Sequence, residues 1–275
     1  MAMVRIRLRG VSLKMTVSRE GLDQIYRAYN YRRWVHPDPL EFLYGYRDPL
    51  DREIVGLVAS SLAYGRVLQI LKSVRFVLEK MGASPMDFLS SQKEDDLLEA
   101  FRGFKHRFTT AEELVALLLG VRRVIERFGS LHACFRCGYR DDHDTVLPAL
   151  SLFVSELSHL CKGGGNSLLP RPEKGSACKR FHLYLRWMVR RDRVDPGAWD
   201  SIPARKLVVP LDTHMHRMGV HLDFTRRCAA DLRTAVEVTK GFQAICPEDP
   251  VRYDFALTRI GMRGQFPFGA FSDGP

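Results

Sequence analysis

The chain has 275 residues, 45% of them hydrophobic, enough to bury one large core or two modest lobes. Its 42 Lys and Arg outnumber 32 Asp and Glu, giving a formal charge of +10 and a pI near 9.5, a balance that favours a polyanionic partner. No run of 18 apolar residues occurs, so no helix is expected to span a membrane, and the opening MAMVRIRLRG lacks the apolar core of a secretory signal; a cytoplasmic, nucleoid-associated protein is expected. Residues 1–20 read as a basic N-terminal extension. Downstream the apolar spacing is helical almost throughout, and no long alternating stretch would build a large sheet, so the expected fold class is all-α. Asp51 to Tyr64 reads as a buried helix through Ile54, Leu57, Val58, Ser61 and Leu62, stopped by Gly65. Val67 to Met81 follows, closed by Gly82. Ala111 to Phe128 carries Leu114, Leu117, Leu118, Val121, Val124 and Ile125 at helical spacing, with Gly129 as its C-terminal signal. Another helix is expected over Thr145–Leu160, and Gly163-Gly-Gly165 through Pro172 is the clearest flexible break. Cys178–Arg190, Thr213–His221, Ala229–Ile245 and Pro250–Ile260 complete the set, the last starting on Glu248-Asp249 with Pro250 as its first helical residue.

The six cysteines, at 134, 137, 161, 178, 228 and 246, are scattered, which suits reduced thiols better than a disulfide framework. His132, Cys134, Cys137 and His143 are four possible zinc ligands within twelve residues. Their spacing matches no common zinc module, and a loop with chance cysteines is the default reading. Cys134-x-x-Cys137 also raises a zinc nucleobase deaminase, but the His-x-Glu of that chemistry is missing and no proline precedes Cys134.

The most informative stretch is Val208-Val-Pro-Leu-Asp-Thr-His-Met-His-Arg-Met-Gly219. A β-branched run meets Pro210, and Asp212 then stands where a helix would begin. As an N-cap its carboxylate is fixed in direction and held ionised by the positive end of the helix. Such a group suits a site where positive charge develops. Asp212, His214 and His216 also resemble the zinc-binding Asp-x-His-x-His of metal-dependent amidohydrolases. Only 59 residues follow His216, however, too few for a barrel of typically about 250 residues to follow its first strand.

Leu211-Asp-Thr-His-Met-His-Arg217 resembles instead the Val-Asp-Thr-His-x-x-Arg motif of the helix-hairpin-helix DNA glycosylase superfamily, the endonuclease III and 8-oxoguanine glycosylase type. Members place a nucleophilic lysine upstream, at the start of a helix that follows a Gly-x-Gly hairpin whose N–H groups hold a DNA phosphate. Gly175-Ser-Ala-Cys-Lys179 matches that arrangement and makes Lys179 the candidate nucleophile. Two departures stand out. Ala177 replaces the second hairpin glycine, and Asp212 follows Lys179 by 33 positions, longer than in endonuclease III-type members; the archaeal 8-oxoguanine glycosylase branch shows such an extended connection. Lys206 is the alternative nucleophile, although the extended Leu207–Leu211 run would hold it away from Asp212. Helical spacing puts Phe181, Tyr184, Leu185 and Met188 on one face, with Lys179, His182, Arg186 and Arg190 on the other. That second face reads as a surface for DNA phosphates or as an ordinary solvated basic side.

The resemblance implies two helical lobes about a central cleft, residues 45–200 forming one and residues 21–44 plus 207–275 the other. It implies a monomer acting on double-stranded DNA that contains a damaged base, an oxidised purine being one candidate, through a lysine Schiff base with AP-lyase activity. Lys179 and Asp212 would be catalytic; Gly175, Ser176, Ala177, His182, Arg186, Arg190, His214 and Arg217 would contact DNA. Tyr64, next to Gly65 at a helix end, would be the wedge that fills the gap left by a flipped base. No metal or organic cofactor is required. Cys228 and Cys246 are too few for the iron–sulfur cluster that some members carry near the C-terminus, so none is expected. The rival is a non-catalytic nucleic-acid-binding protein that keeps this fold.

Overall fold

Side-chain caps decide where most of the helices start. The computed structural model describes residues 3–8, 11–16, 18–161 and 165–262, and across them the protein is all-α apart from two short hairpins. Ser18 caps α1 (Arg19–Tyr29), Asp48 caps α2 (Pro49–Ser61) and Ser84 caps α4 (Pro85–Ser91), while α3 spans Val67–Met81 and α5 Glu94–Ala100. Thr110 and Glu113 close a capping box on α6 (Ala111–Phe128), and Ser130 caps α7 (Leu131–Gly138). Helix α8 covers Leu147–Leu157 and α9 covers Lys179–Val189. Asp212 caps α10 (Thr213–His221), Asp231 caps α11 (Leu232–Ile245), and α12 runs Asp254–Met262. Each cap satisfies an N–H that the helix itself leaves open.

Several boundaries differ from the expected ones, each for a local reason. The basic extension contains an antiparallel hairpin, β1 (Met3–Leu8) with β2 (Val11–Thr16), in register from Met3 opposite Thr16 to Leu8 opposite Val11. The alternation Val4-Arg5-Ile6-Arg7-Leu8 is its period-two signal. A second, two-residue hairpin, β3 (Lys105–His106) with β4 (Thr109–Thr110), sits between α5 and α6. Helix α2 ends at Ser61, three residues before Tyr64. The C-terminal helix starts at Asp254, not Pro250, because Asp249, the expected cap, gives its carboxylate to Arg190 Nε at 2.9 Å. Gly163 and Gly164 of the glycine break lie outside the described residues.

Helix α2 is buried on nearly every side, against α9, α3, α4, α7 and the 3-10 turn Pro39–Gly45. Gly56 permits the close approach of α9: a Cβ there would lie 3.1 Å from Met188 Cε and 3.2 Å from Tyr184 Cε2. Helices α5, α7 and α8 pack around α6, while α1 packs on α12 and α10 on both α11 and α12. One contiguous apolar cluster joins all of these, from Leu22 to Ile260. At its centre Trp199 stands against Tyr184 and Phe135, both at 5.3 Å between rings. Glu53 lies beside them, buried. It accepts the Trp199 indole N–H at 2.9 Å and the Leu131 amide at 2.8 Å, so it caps α7 from α2, and burial pushes its carboxyl up to about 7. Among the described residues no helix is long and apolar enough to cross a membrane.

Candidate functional site

Helices α9 and α10 start beside one another, and this is what assembles the site. The turn before α9 has Gly175 at φ 79° and, directly before Lys179, Cys178 at φ 45°, ψ 34°. The left-handed residue is therefore Cys178, and Ala177 keeps ordinary backbone, so the substituted glycine of the motif costs nothing at position 177. The strain falls on a cysteine whose side chain is buried and whose amide is held by Ser176 Oγ at 3.2 Å. The Gly175 carbonyl accepts the Leu232 amide at 3.0 Å, which ties the turn to the start of α11. Among the described residues the amides of Ser176 and Ala177 donate to no protein acceptor.

From this turn Lys179 reaches Asp212: Nζ lies 3.7 Å from Oδ2, with the lysine 34% and the aspartate 21% exposed. Oδ1 of the same carboxylate accepts the Met215 amide at 2.8 Å, the N-cap bond of α10. One oxygen is thus structural and the other faces the amine. Both residues line a cleft of about 200 Å³ whose apolar walls include Leu183, Trp187, Pro210 and Phe255. His214, exposed, stands at its rim.

Asp254 and Arg186 line the same cleft; the sequence offered Arg186 only as a DNA contact and did not single out Asp254. Asp254 accepts from Arg186 Nη1. Burial holds its carboxyl up at about 6 against the pull of Arg186, and the neighbouring Asp212 adds to the rise. The one signal for Asp254 was an acid inside the apolar run Val251-Arg-Tyr-Asp-Phe-Ala-Leu257. Arg259 and Asp38, also lining the cleft, form a further ion pair.

Three expected DNA contacts are corrected by burial. His182 is 1% exposed, neither ring nitrogen has a partner among the described residues, and burial drives it down to about 3, so it is a neutral core residue. Arg186 pairs with Asp195 and Asp254; Arg190 pairs with Asp192, Asp195 and Asp249. Both guanidiniums are sealed in this network and turn no edge to a phosphate. Tyr64 is corrected as well. Its hydroxyl donates to the His106 carbonyl at 2.7 Å and meets Thr109 Oγ1 at 2.6 Å, so it anchors the β3–β4 hairpin instead of standing free as a wedge. The exposed apolar groups nearby are Phe108, 76% exposed at the hairpin tip, and Leu68, 74% exposed on α3. The Arg107 side chain, in the same tip, covers Gly65, whose absent Cβ would lie 2.7 Å from Arg107 Cδ; Gly65 in turn lines the cleft. An aromatic in the polar turn Lys105-His-Arg-Phe-Thr-Thr110 was the available signal.

Of the remaining candidates, Gly175, Ser176 and Ala177 form the turn, and Arg217 is exposed on α10. Lys206 lies elsewhere: its Nζ donates to the carbonyls of Asp141 and His143 and it lines a different pocket with Asp144 and Lys240. His132 stacks on Trp199 at 5.2 Å, Cys134 is buried in the core and Cys137 is exposed. Among the described residues no three His, Cys, Asp or Glu side chains gather as a metal site.

Residues 38–263 match a protein family described as Protein of unknown function (DUF2400). That match covers well over half of the chain, and the chain belongs to this family. No curated protein and no solved structure matches it.

Proposed function

We propose that this DUF2400 member is a DNA N-glycosylase with AP-lyase activity, built on a two-lobed helix-hairpin-helix glycosylase fold. The observation that carries the reading is the meeting of Lys179 and Asp212. Two segments 33 positions apart, both carrying the same family resemblance, place an amine 3.7 Å from a carboxylate inside one cleft. The helix pairings support it: α1, α10, α11 and α12 pack among themselves, and α2 to α9 around α2 and α6, with Lys179 and Asp212 contributed by different groups.

In this reading the amine form of Lys179 attacks C1′ of a nucleotide flipped into the cleft. The N-glycosidic bond breaks and its electron pair leaves with the base, while Asp212 takes the lysine proton and faces the positive charge on the sugar. Opening of the C1′–O4′ bond leaves an iminium. Loss of a C2′ proton then expels the 3′ phosphate and nicks the strand. The cleft is smaller than the roughly 300–1,000 Å³ of drug-sized pockets, which suits one base. Leu183, Trp187 and Phe255 offer it apolar faces, and Asp254, Asp38 and Arg259 offer polar edges. The open amides of Ser176 and Ala177 fit a backbone phosphate. Phe108, in the hairpin tip whose Arg107 covers Gly65 of the cleft, is assigned the wedge role in place of Tyr64.

The test is borohydride trapping on duplexes that each carry one damaged base, oxidised purines first. A covalent protein–DNA adduct on at least one lesion, and on an abasic site, is expected. Tight duplex binding with no adduct on any of them would favour the non-catalytic binder.

A further inference from the structure

A second cavity, of about 560 Å³, lies between α1 and the loop after α9. Its lining includes Tyr26, Arg27, Tyr31, Asp192, Arg193 and Arg252. The charges there do not cancel. Asp192 is committed to Arg190 at 2.9 Å and to the Tyr26 hydroxyl at 2.9 Å, and Arg252 pairs with Asp23 at 3.4 Å. Arg27 and Arg193, both exposed, have no carboxylate partner among the described residues.

The arginines are also pre-set in direction. Arg193 and Arg33 each lie 4.6 Å from the centroid of the Tyr31 ring, and Arg252 lies 4.5 Å from that of Tyr26. A guanidinium laid on a ring keeps its N–H edge outward and loses less freedom when that edge meets a phosphate. The position matters equally. Tyr31, which lines the cavity, is six residues from Pro37, and Pro37, Asp38 and Pro39 line the Lys179 cleft. Six residues span at most about 20 Å, the rise of about six nucleotides along a duplex strand.

We propose that this arginine–tyrosine cavity is a second DNA-binding site, one that grips two backbone phosphates of the strand leaving the cleft. The inference shares with the proposed function a DNA partner and needs none of its chemistry.

The test measures duplex affinity against salt with lesion-free DNA and full-length protein carrying Lys179→Gln, so that no bond chemistry is read. Adding Arg27→Gln and Arg193→Gln together should weaken binding about tenfold or more near physiological salt. It should also lower the slope of log affinity against log salt by about two, one unit for each phosphate lost. Tyr31→Leu, which removes the ring under two guanidiniums, should weaken binding, whereas Tyr31→Phe should not. An unchanged slope in a double variant that melts like its parent would overturn the proposal. So would matched losses for the duplex and for poly-glutamate of equal charge, which would make the cavity an acidic-peptide site. A protein that binds in this way yet never forms a borohydride adduct would sink the glycosylase reading and leave this one standing.

Discussion

At the first turn of α9 Lys179 is partly exposed and, among the described residues, has one carboxylate neighbour, Asp212, at 3.7 Å. Two turns further on, Arg186 and Arg190 are closed off from solvent among Asp192, Asp195, Asp249 and Asp254. The three cations repeat at helical spacing, and that spacing does not separate them. The acids do. A guanidinium ringed by carboxylates is fixed, always protonated and useless as a nucleophile, but it locks the end of α9 to the start of α12 and so sets the back of the cleft. The amine at the other end keeps room to move toward a substrate. In the proposed function, chemistry belongs to the open end of the helix and rigidity to the closed one.

The sharpest way to break this contrast is to remove charge at each end. Lys179→Gln should lose all strand nicking and trapping while melting like the parent, because a part-exposed side chain with one long contact contributes little to stability. Asp212→Asn should keep the Met215 cap bond and the fold but lower turnover by roughly 10²–10³-fold, the usual cost of losing one preorganised charge. Unchanged turnover would reduce Asp212 to a cap.

Arg186→Ala inverts the pattern. It strands Asp195 and Asp254 in the core and should cost roughly 3–5 kcal/mol in urea unfolding. The salt dependence of DNA binding by the folded fraction should stay as it was. A loss below about 1 kcal/mol together with a shallower salt slope would return Arg186 to the DNA surface.

The sequence carried the open end of α9 well and the closed end badly, for a physical reason. Lys179 and Asp212 sit at helix starts, where the cap and the turn residues are neighbours in the chain, and Asp212 caps α10 in the expected way. Arg186 and Arg190 owe their burial to acids 2 to 68 positions away, most of them in irregular segments without periodicity. The same distance effect hid Asp254, and it misplaced the start of α12 because Asp249 serves Arg190. Tyr64 was misread because its partners lie on a hairpin 42 to 45 positions on. Helices α3, α6 and α10 stand where their apolar spacing put them; α1, α4, α5 and α7 are short or strongly polar on one side.

Glu53 extends the contrast to pH. Burial raises its carboxyl to about 7, so between its ordinary 4.5 and 7 the folded state holds a proton that the unfolded state has lost. Its contribution to stability is therefore fullest below 4.5 and declines as pH rises to 7, by on the order of 2–3 kcal/mol. Denaturant unfolding across that window should show the parent declining more steeply than Glu53→Gln, by about that amount. A smaller effect is expected at Cys178: Cys178→Gly should be more stable than Cys178→Ala by about 1 kcal/mol, since only glycine takes its left-handed backbone freely. Equal melting of the two would mean that the turn relaxes.

The most direct measurement is to trap the wild-type protein on abasic DNA with borohydride, digest the adduct and find the modified residue by mass spectrometry. A single adduct at Lys179 is expected. An adduct at Lys206, or no lysine modified at all, would contradict the assignment of the nucleophile to the open end of α9.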